Sequence, residues 1–448
     1  MFLLAIDWSS VATKTGQFIL SFSILVVLHE LGHFIPARIF KCRVEKFYLF
    51  FNPWFSLWKK KIGETEYGFG WVPFGGYVKI SGMIDESMDK EQLKLPPQPY
   101  EFRAKKAWQR LIIMIGGVVV NVLLAILIFI GIMWKWGEEY LPAKNLKYGV
   151  YADSLAKSIG IKDGDKIISV GGKTLENFNT LEGEMMLNDA KTLEINRDGK
   201  EISIAIPDGF IKKLSKNHQL NPFADARVPI IIDSISTSAV FSDTRLQKGD
   251  TVIAVNGNFF KFYDEFLPYR KKYKDSLVVF TALRGTDTVK AKYLIKSNNP
   301  GMFYKSAESV FGTYVKAYSF TEAIPAGFHK CFQTLDRYIT GLKQLFTGKV
   351  NASDSLGSVI SIGNTFPSVW DWERFWTLTA IFSIILAFMN ILPIPALDGG
   401  HALFTLVEMI TGRKPSDKFM EYAQMVGMIL LLSLMAYALG LDFWRLFK

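Results

Sequence analysis

The sequence lacks the features of a secreted or disulfide-bonded protein. Its 448 residues include two cysteines, Cys42 and Cys331, which are too few for a disulfide framework. The N-terminus has no basic region ahead of its first apolar run and no small-residue cleavage site, so this run is predicted to be a retained membrane helix. Hydrophobic residues make up 49% of the chain, which is high for a soluble enzyme.

Acidic residues do not balance the basic ones. The net charge of +10 would suit a nucleic-acid partner, but the lysines and arginines cluster beside the apolar runs. Basic residues in that position orient membrane helices. We therefore predict the lipid bilayer, and no nucleic acid, as a partner of the chain.

Four apolar runs, at about 16–37, 111–134, 375–392 and 423–441, are long enough to cross a bilayer. They predict a polytopic α-helical membrane protein with four transmembrane helices. The loop between the first two runs is rich in lysine and arginine, whereas the N-terminal tail has only Lys14. The positive-inside rule places this loop in the cytoplasm. Both termini, and the long insert between the second and third runs, are then outside.

The first run carries an HExxH motif made of His29, Glu30 and His33. Positions four apart share one face of a helix, so both imidazoles can hold one Zn²⁺ while Glu30 acts on a water beside it. The motif also occurs by chance, and two helical histidines can be hydrogen-bonded core residues. Within an apolar run that alternative loses ground, because lipid offers no partners for a carboxylate and two imidazoles.

The third run ends in a segment with two prolines, which stop a regular helix, and Asp398 follows this break. His29 lies roughly 20 Å into the first run at 1.5 Å per residue, and both runs cross inward, so both segments reach the inner edge of the bilayer. We predict His29, His33 and Asp398 as zinc ligands that leave a fourth position for water. His401 is a competing ligand, with a structural role as the alternative.

The cytoplasmic loop contains an aromatic, glycine-interrupted stretch at 67–80 that predicts a β-hairpin. The stretch is too apolar for a free loop. We interpret it as a membrane-dipping β-hairpin that lines a cavity, where irregular backbone is tolerated at membrane depth. An ordinary hairpin beside the membrane is the alternative.

The long insert contains a repeat, in which residues 162–172 match residues 247–257. Each copy has Gly-Asp, an alternating strand and a glycine turn, and is followed by a strand, a turn and a strand. The pair resembles two tandem α+β PDZ domains, at about 137–215 and 223–297, which bind extended peptides by adding a strand to a sheet edge. Neither copy has a GLGF-type carboxylate loop, so a steric gate is an equal alternative to peptide capture.

The remaining segments complete the predicted organisation. Residues 1–136 hold the first two helices and the cytoplasmic loop, residues 298–372 form an amphipathic linker region, and residues 373–448 hold the last two helices. Apolar residues recur at helical spacing over 320–348. This helix is predicted either to lie on the outer membrane surface or to pack under the second PDZ domain.

Three motifs together resemble the site-2 proteases, a family of intramembrane zinc metallopeptidases. These are HELGH in the first run, PFGGYVK at 73–79 and N-x-x-P-x-P-x-LDGGH at 390–401. The tandem PDZ domains resemble the bacterial branch, which cleaves membrane-anchored anti-sigma factors and remnant signal peptides. The resemblance covers essentially the whole chain. It implies one zinc ion per chain on His29, His33 and Asp398, with Glu30 as the catalytic carboxylate.

The resemblance also implies residues that bind the substrate. These are Asn390, Pro393, Pro395, Gly70, Phe74, Gly75, Gly76 and Tyr77. It implies a bacterial inner-membrane location. The depth of the motifs predicts an active site near the cytoplasmic side, and two peptide-binding folds over the outside mouth lead to the hypothesis that the PDZ pair filters substrates by size. In the family a Gly-Pro pair often precedes the asparagine of the second helix, whereas Gly116 and Gly117 precede Asn121 here.

Three other classes of function fit part of the pattern. A protease of soluble proteins would need its HExxH motif beyond the apolar runs. A metal transporter would not need Glu30 between the histidines or two peptide-binding domains. A scaffold built on the PDZ pair would leave Glu30 without a role.

Overall fold

The computed structural model divides the chain into two compact units. The described residues are 7–83, 96–218, 222–236, 239–242, 244–295, 300–348, 350 and 357–446. The helical unit comprises Met1–Gly137, Ala317–Leu342 and Ser355–Lys448. The inserted unit comprises Glu138–Lys316 and Lys343–Asp354.

The elements are numbered in chain order over the described residues. The helices are α1 (Trp8–Ile39), α2 (Ala107–Lys135), α3 (Ser154–Ser158), α4 (Leu181–Leu187), α5 (Phe210–His218), α6 (Tyr263–Lys272), α7 (Ala307–Phe311), α8 (Phe320–Phe346), α9 (Val359–Asn364), α10 (Trp372–Ile391), α11 (Asp398–Thr411) and α12 (Asp417–Leu446). The strands of the helical unit are β1 (Val44–Phe51), β2 (Trp58–Ile62), β3 (Thr65–Phe69) and β4 (Val72–Ile80). Those of the inserted unit are β5 (Glu138–Tyr140), β6 (Val150–Ala152), β7 (Lys166–Val170), β8 (Lys173–Thr174), β9 (Thr192–Arg197), β10 (Lys200–Ala205), β11 (Ala224–Ala226), β12 (Ile230–Ile235), β13 (Phe241–Ser242), β14 (Thr251–Val255), β15 (Asn258–Phe259), β16 (Leu277–Arg284), β17 (Asp287–Leu294), β18 (Met302–Tyr304) and β19 (Tyr314–Lys316).

Four helices of the described chain, α1, α2, α10 and α12, are long and apolar enough to cross a membrane, as the sequence predicts. α1 begins about two turns before the predicted run. The carboxylate of Asp7 accepts hydrogen bonds from the backbone N–H groups of Ser9 and Ser10 and so caps its first turn.

α2 is the central helix of the bundle and packs against α1, α10 and α11. The contact of α1 with α10 includes a buried pair of hydroxyls, Ser21 and Thr379, 2.9 Å apart. Ser383 of α10 donates a hydrogen bond of 2.7 Å to the backbone carbonyl of Asn121 on α2. Polar contacts between apolar helices of this kind hold neighbouring helices together at membrane depth.

Strands β1 to β4 form one sheet with the order β2-β3-β1-β4. The predicted β-hairpin at 67–80 is wrong, because β1 lies between its two arms and pairs in parallel with β3 and antiparallel with β4. The chain crosses the end of β1 at Gly70, where a Cβ atom would lie 2.2 Å from the carbonyl oxygen of Phe51. A glycine at this position allows the crossing. β4 is left at an edge of the sheet.

Within the helical unit, α8 packs along α2 and α10. Ala323 and Cys331 are buried in one cluster with apolar side chains of both helices. A Cβ atom on Gly327 would lie 2.6 Å from the backbone nitrogen of Ile130, so α8 and α2 approach closely. This side of α8 is therefore buried against the helix bundle, whereas Phe332 and other apolar side chains of the same helix are exposed.

In the inserted unit, the two copies of the sequence repeat have the same backbone pattern. The N–H group of Val150 donates to the carbonyl of Asp165, and the N–H group of Ile232 donates to that of Asp250. The same aspartates pair with an arginine of the following hairpin at 2.7 Å, Arg197 with Asp165 and Arg284 with Asp250. Strands β7 to β10 form a sheet in the first copy, and a larger sheet of β12 to β18 forms in the second.

Candidate metal centre

Two imidazoles on α1 and a carboxylate at the start of α11 meet inside the helical unit. The Nε2 atoms of His29 and His33 are 3.3 Å apart, and Oδ2 of Asp398 lies 3.2 Å from the first and 3.3 Å from the second. The candidate ligand atoms of all three side chains lie within 4.8 Å of one another. The structure therefore brings together the three residues that the sequence predicts as metal ligands.

The chemistry of these atoms fits a cation. Nδ1 of His33 lies 2.8 Å from the carbonyl oxygen of Ile113, which can only accept, so Nδ1 carries the proton and Nε2 presents a lone pair. Oδ2 of Asp398 is buried and forms no hydrogen bond with any described residue. Lone pairs that converge in a buried place are unfavourable without a positive partner. Two imidazoles and a carboxylate are a donor set that Zn²⁺ accepts.

His29 has a polar neighbour on α2. Its Nδ1 lies 3.2 Å from Nδ2 of Asn121, whose side chain is fully buried. Oδ1 of Asn121 has no hydrogen-bond partner in the part of the chain that the structure describes. α2 therefore places a polar group behind each imidazole, a backbone carbonyl behind His33 and a side-chain amide behind His29.

Asp398 reaches the histidines because α10 ends seven residues before it, at Ile391. Pro393 and Pro395 interrupt the helix, as the sequence predicts, and α11 starts against the end of α10. Gly399 and Gly400 permit this packing, because a Cβ atom on them would lie 2.3 Å and 2.6 Å, respectively, from a backbone carbonyl oxygen of the preceding segment.

A cavity of about 660 Å³ lies beside the three candidate ligands. Glu30, the predicted general base, is half-buried in its wall. Among the predicted substrate-binding residues, Asn390, Gly76 and Tyr77 also line the cavity. Nδ2 of Asn390 lies 3.3 Å from Nε2 of His29, so this amide reaches the candidate ligands.

Apart from Phe74, the other predicted substrate-binding residues are not among the described residues that line the cavity, and they lie in or beside the sheet of β1 to β4 or in the break before α11. Gly70 crosses the end of β1, and Gly75 has a positive φ of 145° and packs against an aromatic ring of β1. Pro393 and Pro395 form the break before α11. The backbone of Phe74 lies in β4, and its side chain is outside what the structure describes.

His401, the competing ligand, has a different neighbour. Its Nε2 lies 3.0 Å from Oε1 of Gln424 on α12, and it is outside the group of three candidate ligands. Gln424 and Asn52, which both line the cavity, carry no signal in the sequence. Asn121 does carry one, because it is the one strongly polar side chain in the second apolar run.

Comparison with known proteins gives matches along the whole chain. A family model described as peptidase family M50 matches residues 17–434. Protease RseP of Yersinia pestis is 25% identical over 479 residues, which cover 99% of this chain and 100% of that protein. Relatives from Vibrio cholerae and Rickettsia conorii, both with zinc metalloprotease in their names, are 27% and 28% identical. Each of these two matches covers 96% of this chain and 98% of the relative.

Proposed function

The chain belongs to peptidase family M50, and from this membership we propose that it cleaves peptide bonds within transmembrane segments of single-span membrane proteins. It is a zinc metallopeptidase of the site-2 protease type. The meeting of His29, His33 and Asp398 among helices apolar enough to cross a membrane carries the proposal. Anti-sigma factors and remnant signal peptides are the substrate classes proposed, by the resemblance to the bacterial branch of the family.

The proposed chemistry assigns a role to each residue of the centre. The zinc ion would be held by His29 and His33 through Nε2 and by Asp398 through Oδ2. When bound, zinc supplies a Lewis acid that polarises the scissile carbonyl and makes water more acidic. Glu30, in the wall of the same cavity, takes a proton from the attacking water and returns it to the leaving amine.

The substrate is proposed to bind as an extended strand, because a helix hides its peptide bonds in its own hydrogen-bond ladder. β4 is an edge strand, and Gly76 and Tyr77 place its middle at the cavity. A strand added to β4 replaces the hydrogen bonds that the unwound substrate loses, which matters in lipid, where each unpaired amide costs several kcal/mol. The amide of Asn390 is positioned to hold the substrate backbone beside His29.

The inserted unit is proposed to select substrates by size, with its two repeats as PDZ domains. The duplicated backbone pattern supports two similar modules, and β5 pairs with β19, so the segment Glu138–Lys316 of the unit begins and ends in one two-stranded ribbon. Replacing residues 141–313 with a short turn keeps this ribbon. We expect the shortened chain to cleave substrates that still carry a bulky outer domain. If such substrates resist cleavage by the shortened chain as they resist the full chain, the proposed size filter is wrong.

The proposed location is the bacterial inner membrane, with both termini and the inserted unit outside and the metal centre near the cytoplasmic side. The basic residues of 41–110 support this orientation. A cysteine introduced at exposed Ser276 should react with a membrane-impermeant maleimide in spheroplasts, and one at exposed Lys60 only after lysis. The reverse pattern of labelling would show that the proposed orientation in the membrane is wrong.

Glu30→Gln tests the catalytic claim directly. The variant should retain zinc, because the three candidate ligands are untouched, and should not cleave a single-span model substrate. Continued turnover at the wild-type rate would remove Glu30 from its role. Loss of zinc together with activity would instead make Glu30 part of the metal site. Tagged single-span proteins co-expressed with the inactive variant, and recovered bound to it, would identify the substrates.

A further inference from the structure

Asn121 has no role in the catalytic steps proposed above, yet it is fully buried in the most apolar helix of the bundle. A polar side chain at membrane depth is costly and calls for a specific partner. Its amide lies against Nδ1 of His29 at 3.2 Å, and Oδ1 of the same amide is buried with no partner among the described residues.

His33 shows which hydrogen bond a zinc-binding imidazole donates to α2. The carbonyl of Ile113 accepts a hydrogen bond from the Nδ1–H group of His33. The lone pair of the ring is therefore on Nε2, which faces Asp398. His29 must adopt the same tautomer to bind a metal through Nε2, and an acceptor must then face its Nδ1. Nδ2 of Asn121 cannot accept, whereas Oδ1 can. A half-turn of the amide exchanges these two atoms and leaves the shape of the side chain unchanged.

We infer that Asn121 is a positioning residue whose Oδ1 accepts a hydrogen bond from the Nδ1–H group of His29 when zinc is bound. It thereby fixes the tautomer and ring orientation that present Nε2 to the metal. The inference rests on the proposed function in one respect, that His29 is a zinc ligand. Ser383 contributes by binding the backbone carbonyl of Asn121, which holds this turn of α2 against α10.

The test is the zinc dissociation constant of the purified full-length chain, measured by competition with a chromophoric chelator. Asn121→Leu keeps the approximate size of the side chain and removes the acceptor, so zinc should bind about 10- to 100-fold more weakly. Asn121→Asp keeps an acceptor at the same position and should restore binding to the wild-type range. Gly131→Ala, on the same helix at a position where an added Cβ atom meets nothing within 4 Å, is the control and should bind zinc normally.

The outcomes separate this inference from the proposed function. Unchanged zinc affinity in Asn121→Leu would overturn the role of Asn121, while zinc binding by the wild type would still support the metal site. Equal losses in the leucine and aspartate variants, at wild-type unfolding temperatures, would also overturn it. If Asn121→Leu does not fold, Asn121→Ala removes the same acceptor with a smaller side chain. A wild-type chain that holds no zinc would overturn the proposed function itself.

Discussion

Gly32 of α1 and Gly116 of α2 touch backbone to backbone. A Cβ atom on Gly32 would lie 2.4 Å from the carbonyl oxygen of Gly116, and one on Gly116 would lie 1.9 Å from that of Gly32. No larger residue fits at either position unless the helices separate. The contact brings the imidazole of His33 within hydrogen-bond distance of the Ile113 carbonyl. The contact between Gly32 and Gly116 therefore sets how closely α2 approaches the face of α1 that carries the two histidines.

Gly117, the next residue of α2, gives the first prediction. A Cβ atom there would lie 2.5 Å from Cε1 of His29 and 2.5 Å from Nε2 of His33. We expect Gly117→Ala to displace both rings and weaken zinc binding by about 10- to 100-fold. Overpacking should also reduce the free energy of unfolding by about 1–3 kcal/mol. Zinc titration and thermal unfolding measure the two effects.

Gly131→Ala is the matched control, because it lies on the same helix and its Cβ atom would meet nothing within 4 Å. It should bind zinc as the wild type does. Equal zinc affinities for the Gly117 and Gly131 variants would show that α2 does not shape the metal centre.

The second prediction concerns metal removal. Dialysis against a chelator should abolish peptide cleavage and leave the helical circular dichroism nearly unchanged, because the buried hydrogen bonds that join α10 to α1 and α2 involve none of the three candidate ligands. Added Zn²⁺ should restore cleavage. Mg²⁺ and Ca²⁺ should not, because they prefer oxygen ligands and the centre offers two imidazole nitrogens. Recovery with Mg²⁺ alone would contradict the proposed ligand set.

The convergence of the metal centre could be predicted from the sequence because it depends on regular geometry. The helical rise places His29 at a depth in the bilayer, and the prolines after α10 place Asp398 at the same depth. In the structure, Nε2 of His29 lies 3.2 Å from Oδ2 of Asp398. The spacing of a motif and the length of a span are local properties, and a sequence pattern reports them directly.

Contacts between distant segments were less predictable. The arms at 67–80 have the aromatic residues and glycine turns of a hairpin, but β1 is equally aromatic and lies between them. The space that Gly70 leaves over the end of β1 is visible only in three dimensions. The partner of Asn121 likewise depends on how α1 and α2 cross, so the sequence indicates an important polar residue and not its neighbour.

The third prediction is a pH dependence in the second repeat of the inserted unit. The hydrogen bond from Arg284 lowers the pKa of the Asp250 carboxyl. A carboxyl with a lowered pKa in the folded state stabilises the fold above its unfolded pKa of about 3.9, and this stabilisation is lost as the pH falls through the folded value. Asp250→Asn should therefore destabilise the second repeat at pH 7, and its difference from the wild type should disappear in acid.

Hydrogen exchange of β14 and β16, corrected for the intrinsic effect of pH on exchange, measures this difference. The first repeat provides an internal control, because its own Arg197–Asp165 pair is unchanged in the variant. A difference between Asp250→Asn and the wild type that stays constant from pH 7 down to about pH 3 would contradict the ionic origin of the effect.

The fourth prediction concerns the contact of α12 with the break before α11. A Cβ atom on Gly427 would lie 1.7 Å from the carbonyl oxygen of Pro395, so Gly427→Ala must move either α12 or the segment that carries Asp398. A displacement of about 1 Å at a catalytic group can lower the rate by about 100-fold, and we expect a loss of kcat/KM of that order. Gly440→Ala, on the same helix, would meet nothing within 4 Å and should cleave normally.

Zinc content distinguishes the two possible movements. Loss of zinc in Gly427→Ala would show that Asp398 has moved, whereas retained zinc with slow cleavage would place the movement in α12. Wild-type cleavage by Gly427→Ala would show that this contact does not position the carboxylate.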